Sequence, residues 1–445
     1  MSREGETAAV SAEGLWERWF HLAENGTNVR TEVLAGLTTF VTMAYIILVN
    51  PLILKDAGLN QGAVFVATIL ATVISTAFMG LYANYPFALA PGMGLNSFFA
   101  YVMCGAMGLP WTVALGAVFL SGVVAVIVTL TGLRELLIKA IPAPLKHAVG
   151  AGIGMFIAFI GFKNAGIIVD NPNTLVDLGN FRDPGVLLAT IGLVITAVLV
   201  ARQVKGGIIL GIIITALIGI PMGATKVPEA VMSLPPSLDP TLFKLDVVGA
   251  LKVALLPTIF SLFFADLFDT IGTFVGVAGR TGMIDEQGRL KRGNRALFAD
   301  SLGTIFGSLL GTSNTTTYVE SAAGVSAGGR TGLTSLVVAA LFLLALVFSP
   351  LALAVPGQAT APALIIVGVL MAASLVEIEF RNFREAFPAF LTALLMPLTF
   401  SISLGLSVGF IAYALVNLLV GRAREVHWLM YALAVLFALY FAFVR

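Results

Sequence analysis

The residues best suited to chemistry lie within one apolar stretch, Phe264-Ala265-Asp266-Leu267-Phe268-Asp269-Thr270-Ile271-Gly272-Thr273. Asp266, Asp269, Thr270 and Thr273 stand at i, i+3, i+4 and i+7, the spacing of one polar stripe along a helix. A carboxylate near the centre of a bilayer costs about 2.5–3.5 kcal/mol even on insertion scales. Two on one face therefore need water, partners, protons or a substrate, and what they offer is acceptance of N–H groups and exchange of protons. A third acid, Glu320, follows the hydroxyl-rich run Thr312-Ser313-Asn314-Thr315-Thr316-Thr317-Tyr318. It sits near the first turn of a short predicted helix, whose free N–H groups favour a carboxylate or an electron-rich ligand. Close acids repel each other's charge, which is a physical basis for coupling transport to protons. Asn96 offers an amide that donates and accepts, toward a planar polar ligand or toward another span. Tyr318 is a stacking or backbone contact or an interior packing aromatic. Thr273 either faces a ligand or bonds back to its own helix.

The elements that position these residues are membrane spans. The 445 residues are 58% hydrophobic and only 11% charged, with a mean hydropathy of +0.98, against roughly 25% charged residues in soluble domains. A net charge of +1 argues against a nucleic-acid partner, and the single cysteine excludes a disulfide framework and a Cys-based metal site. None of the three histidines, His21, His147 and His427, falls mid-span, so no metal site and no enzyme is expected.

Apolar segments fall near 33–54, 63–83, 86–106, 112–132, 142–162, 184–201 and 206–223, then, after a loop with five prolines, near 246–278, 296–311, 312–327, 333–353, 361–376, 386–402 and 404–421. This predicts an all-α polytopic membrane protein of fourteen spans, seven plus seven of opposite orientation. The expected organisation is a cytoplasmic segment 1–32, a first repeat 33–223, an extracellular linker 224–245 and a second repeat 246–421. The remaining 422–445 is a C-terminal apolar segment, either an extra span or an interfacial helix. Lys and Arg concentrate on one side, among them Arg134, Lys139, Arg202, Lys205, the stretch from Arg280 to Arg295, Arg330 and Arg384. That side is assigned to the cytoplasm, together with the N-terminus. The glycine and alanine spacing of Gly207, Gly211 and Ala216 recurs in Gly405, Gly409 and Ala414.

The third segment, Tyr85-Pro86-Phe87-Ala88-Leu89-Ala90-Pro91-Gly92-Met93-Gly94-Leu95-Asn96, holds two prolines and two glycines, and the tenth is the β-branched run before Glu320. Both read as an extended stretch feeding a half-helix. Paired interruptions at corresponding places in two halves point to a binding site near the midplane. No P-loop spacing is present, so a gradient must drive transport.

Three motifs, Phe264 to Thr273, Ala88 to Asn96 and Thr315 to Ser321, together with the opening Thr31 to Tyr45, resemble the adenine/guanine/hypoxanthine permease branch of the nucleobase–cation symporters, which include the xanthine and uracil permeases. The likeness covers nearly the whole chain. It implies an inverted-repeat fold with a core domain moving against a gate domain. It also implies proton-coupled import of a purine nucleobase across the cytoplasmic membrane, no cofactor beyond the proton, and a homodimer in the lipid bilayer. Carried over by position, Asp269 and Glu320 bind the base and couple it to protons, with Asp266 one turn earlier and Asn96 on the third span. Which of Asp266 and Asp269 touches the base stays open. Thr273 stands where some relatives carry a histidine or aspartate, which shifts proton coupling toward Asp266. Two other readings remain: an anion transporter or channel of the same architecture, which would need a cation at the site, and an intramembrane aspartyl hydrolase using Asp269 and Glu320.

Overall fold

The computed structural model describes residues 14–443 apart from Leu15, Glu229, 279–282 and 284–289. The first part of the 1–32 segment and much of the basic stretch 280–295 lie outside the described residues.

Nearly all regular structure is helical. The first half contains α1 (Val29–Met43), α2 (Ile46–Asp56), α3 (Gln61–Phe78, wound on to Ala83), β1 (Leu89–Pro91), α4 (Met93–Ser97, wound on to Ala106), α5 (Trp111–Leu130), α6 (Leu133–Ala140) and α7 (Ala143–Asn164). A hairpin, β2 (Ile168–Asn171) and β3 (Leu175–Leu178), precedes α8 (Pro184–Ala201) and α9 (Gly207–Gly219). The second half contains α10 (Val247–Ala250), α11 (Leu256–Ala278), α12 (Gly293–Leu310), β4 (Thr315–Thr317), α13 (Ser321–Ser326), α14 (Gly332–Ala345), α15 (Ser349–Ala354), α16 (Gly357–Ala372), α17 (Phe383–Leu398), α18 (Ile402–Leu419) and α19 (Trp428–Phe443). Among the described residues, eight helical stretches are long and apolar enough to cross a membrane, with shorter apolar helices at Met93–Ala106, Gly207–Gly219 and Trp428–Leu439.

Local chemistry sets the helix starts. The Asn28 and Asn60 side chains accept the N–H groups of Thr31 and Ala63, and Asp183 caps α8 just before Pro184. Glu32 caps a helix distant in sequence. Its buried carboxylate accepts the Arg330 N–H at 2.8 Å, the Thr334 N–H at 3.2 Å and the Thr334 hydroxyl at 2.5 Å at the start of α14. Large apolar side chains remain on the outside, as a lipid-facing protein requires; Leu130 is 71% and Leu419 83% exposed.

The helices pack in two groups. One assembles α1, α3, α5, α11, α12, α13 and α14 around the antiparallel pair β1–β4; the other assembles α7, α8, α9, α16, α17 and α18. Small residues set the closest crossings. Gly332 and Gly80 bring α14 against the end of α3, where a Cβ on Gly332 would lie 1.9 Å from the Gly80 carbonyl oxygen. Gly154 and Gly368 do the same between α7 and α16. Because the obstacle is backbone, neither crossing relaxes by a rotamer change. Gly332→Ala is expected to cost about 1–3 kcal/mol as an overpacked contact, read as a lower midpoint of thermal unfolding for the detergent-solubilised protein. The same change at Gly357, where a Cβ meets nothing within 4 Å, is expected to leave the midpoint unchanged.

Candidate functional site

β1 and β4 pair in the register Leu89↔Thr317, Ala90↔Thr316 and Pro91↔Thr315. The pairing extends outward through Tyr318 N–H to the Ala88 carbonyl at 2.9 Å and Gly92 N–H to the Asn314 carbonyl at 2.8 Å. Prolines 86 and 91 exclude a helix on one side, and the β-branched run favours extended backbone on the other. Each strand feeds a short helix, α4 or α13, so the first turns of both open into the space beside the sheet.

Side chains satisfy the backbone of both strands. Thr76 on α3 meets both polar groups of Leu89, at 2.9 and 3.0 Å, and Ser321 accepts the Ala88 N–H at 3.0 Å. On the β4 side Asp300 of α12 is the hub. Its Oδ1 accepts the Thr317 N–H at 2.9 Å and the Thr317 hydroxyl at 2.8 Å, and its Oδ2 accepts the Thr270 hydroxyl at 2.8 Å. Thr316 in turn donates to Thr270 at 2.9 Å. Asp300 was not singled out in the sequence, although the rule that an acid inside an apolar span needs a reason applies to it as well.

A small cavity of about 60 Å³ lies beside the strand pair. Its polar wall is Asp269, Thr273, Thr316, Thr317, Tyr318 and Glu320; its apolar wall includes Met93, Ile153, Val367 and Met371. The polar wall comes from the first helix group, whereas Ile153, Val367 and Met371 come from α7 and α16 of the second. Gly94 allows that approach, since a Cβ there would meet Ile153 Cγ2 at 2.4 Å. Glu320 accepts the Tyr45 hydroxyl at 2.5 Å. Tyr45 occupies the break between α1 and α2, and nothing in its local sequence distinguished it from a core aromatic. The Tyr318 hydroxyl donates to the Pro91 carbonyl at 2.6 Å, and the residue lines the cavity.

The structure thus groups Asp269, Glu320, Tyr318 and Thr273 on one cavity and places the other two sequence candidates elsewhere. Asp266 does not line the cavity; it is buried against α12, 3.1 Å from the Thr304 hydroxyl. The single stripe expected on α11 is in fact two. Asp266 and Thr270 face α12, whereas Asp269 and Thr273, offset by three residues and so about 60° round the helix, face the cavity. Asn96 is fully buried behind the cavity wall, where its amide donates to Asn50 at 2.9 Å. Asn50 in turn donates to Thr68 and Thr312 at 2.7 and 2.8 Å, so Asn96 ties α4 to α2.

Away from this cavity, α2 and α4 also reach α7. Where α2 ends, Tyr101 donates to Asp56 at 2.9 Å and accepts from Asn164 of α7 at 2.6 Å.

The fold is shared with solved membrane transporters. The transmembrane domain of a cyanobacterial bicarbonate transporter, BicA, superposes with a TM-score of 0.62 at 17% identity, covering 86% of this chain and 97% of that one. SLC26A9 superposes with a TM-score of 0.64 at 13% identity, over 94% of this chain and 70% of that one. The fold and its apolar spans define a multi-pass membrane protein. Residues 30–408 match the xanthine/uracil permease model, described as a permease family, and the chain belongs to that family. It is 54% identical to the putative permease MJ0326 of Methanocaldococcus jannaschii over 96% of this chain and 98% of that one. It is 47% identical to the guanine/hypoxanthine permease PbuG of Bacillus subtilis over 96% and 99%, and 45% identical to the adenine permease AdeP of Escherichia coli over 98% of each. The chain is a permease and not an enzyme, so the hydrolase reading falls.

Asp300→Ala is expected to strip three donors of their acceptor and cost about 3 kcal/mol. The loss should concentrate in the strand pair, seen as faster hydrogen exchange across 312–320 with the exchange of α17 and α18 unchanged.

Proposed function

We propose that this permease imports purine nucleobases together with protons across the cytoplasmic membrane by alternating access. The observation that carries the reading is the cavity itself, where two carboxylates, Asp269 and Glu320, face one small space built on the strand pair. Relatives named as adenine and guanine/hypoxanthine permeases, matched along almost their full length, supply the substrate class. A purine base is planar and displays N–H donors beside ring acceptors. Asp269 and Glu320 accept the donors, main-chain N–H groups at Gly94 and Val319 meet the acceptors, and Met93, Ile153 and Met371 cover the ring faces. A ligand lacking one of these donors leaves a buried acceptor unpaired, which is the basis of selection. Two carboxylates in one small space repel when both are ionised, and a proton entering with the base relieves the repulsion. Asp266 and Asn96 act behind the site by holding α11 to α12 and α4 to α2. The anion reading would want a cation here, and the residues lining the cavity include no Lys or Arg.

The seven-plus-seven architecture is part of the same proposal, with 33–223 and 246–421 as repeats and the N-terminus cytoplasmic. The first repeat comprises α1–α2, α3, β1–α4, α5, α7, α8 and α9; the second comprises α11, α12, β4–α13, α14–α15, α16, α17 and α18. Exchanging the repeats carries several of the packed pairs onto one another, which supports the division. The pair α1·α14 becomes α11·α5, α3·α14 becomes α12·α5, α7·α17 becomes α16·α8, and α8·α9 becomes α17·α18. The glycine recurrence joins in, because Gly211 abuts Thr196 of α8 as Gly409 abuts Thr392 of α17. The group built on the strand pair is the moving core and the other the gate, with Tyr101 and Asn164 closing the two together at the outer end.

Uptake of radiolabelled hypoxanthine, guanine and adenine into proteoliposomes, with and without an inward proton gradient, tests the reading. Accumulation of at least one base above equilibrium, dependent on the gradient, is expected; exchange without accumulation would remove proton coupling, and no transport of any base would remove the substrate class. Asp269→Asn and Glu320→Gln should each abolish accumulation in protein that still reaches the membrane. Tyr45→Phe, which removes a hydrogen bond to a carboxylate, should weaken base binding about 10- to 100-fold without lowering the unfolding midpoint.

A further inference from the structure

A second and larger hollow lies on the seam between the two helix groups, on a different side of α1 and α2 from the substrate cavity. It offers about 410 Å³, within the roughly 300–1,000 Å³ of small-molecule sites. One wall is Phe40 on α1 with Phe348 and Leu351 at α15; the other is Ile213, Ala216 and Leu217 on α9. The outer lip is wide open, Leu217 being 60% and Ile213 43% exposed. Water gains nothing in such a crevice, which lies at membrane depth and is walled by apolar side chains, so hydrocarbon is the fluid available to fill it. The polar groups gather at one end, just past the last turn of α9. The Thr225 hydroxyl is buried there without a hydrogen-bond partner among the described residues. Beside it Lys226 is exposed and forms no ion pair among the described residues. Apolar length ending at a cation is the complement of an acyl chain and its phosphate.

We infer that this crevice is a binding site for one anionic glycerophospholipid, its acyl chain lying between α1 and α9 and its phosphate on Lys226. The site rests on the membrane reading of the fold and is independent of which substrate is carried. Because its walls belong to different helix groups, the bound chain occupies space that must change shape whenever the groups move against each other.

The test uses full-length protein in phosphatidylcholine liposomes containing a small fraction of phosphatidylglycerol with a diazirine in its acyl chain. After irradiation the labelled peptides are mapped. Label should concentrate on 209–226 and 345–355, and fall at least fivefold in Lys226→Glu, a change in an exposed loop that leaves the spans intact. Ala216→Trp, which fills the crevice, should remove the label as well, while a diazirine phosphatidylcholine should label wild type and Lys226→Glu alike. Label spread evenly over the lipid-facing sides of α5 and α8, or unchanged in both variants, would overturn the site. Cross-links between two copies of the chain through the same residues would overturn it too, by showing that protein covers the crevice.

Discussion

Three residues of β1 paired with three of β4 place extended backbone in the middle of a helical membrane protein, and hydrocarbon offers nothing to the polar groups of that backbone. The rest of the structure follows from satisfying them. Thr76 on α3 and Asp300 on α12 serve the two strands from opposite sides. Those helices must therefore flank the sheet, and their glycine-lined crossings with α14 and the strand loops bring them close enough. Thr270 joins α11 to the same carboxylate. A helix carrying acids is thereby locked against a sheet whose ends start two further helices.

The division of labour across the cavity follows from this construction. All the hydrogen-bonding capacity that a base would use sits on the group built around the sheet, where geometry is held by main-chain pairing and by Asp300. The facing group contributes Ile153, Val367 and Met371, contacts without direction. On the function proposed above, a substrate held by directional bonds on one side and by shape alone on the other travels with the first body past the second.

The class of the protein was legible in composition and hydropathy. Most of its helix positions were legible to within a few residues, because twenty-residue apolar runs leave few alternatives; the span expected from 246 breaks after α10, and α11 begins only at Leu256. The prolines and glycines of 86–94 and the threonines of 315–317 showed where helix would fail, and strands occupy those places. Asp300 was legible in principle, being an acid inside the span 293–310, yet its role as the acceptor for β4 depends on Thr317 and Thr270, remote in sequence. Tyr45 was not legible, because a phenol in an apolar helix has no signature until a carboxylate 275 positions away meets it.

The sequence alone determined that this chain spans a membrane, that it keeps acids where acids are costly, and that its backbone leaves the helix at two places. These properties depend on residue type and local spacing, through transfer energies and the backbone preferences of proline, glycine and β-branched residues. Only the tertiary structure decided that the two interruptions pair with each other, and that Asp269 rather than Asp266 faces the cavity. It also decided that Asn96 braces a helix crossing. The direction of a side chain on a helix is known only relative to its own axis; what it faces is set by the neighbours that packing brings against that axis.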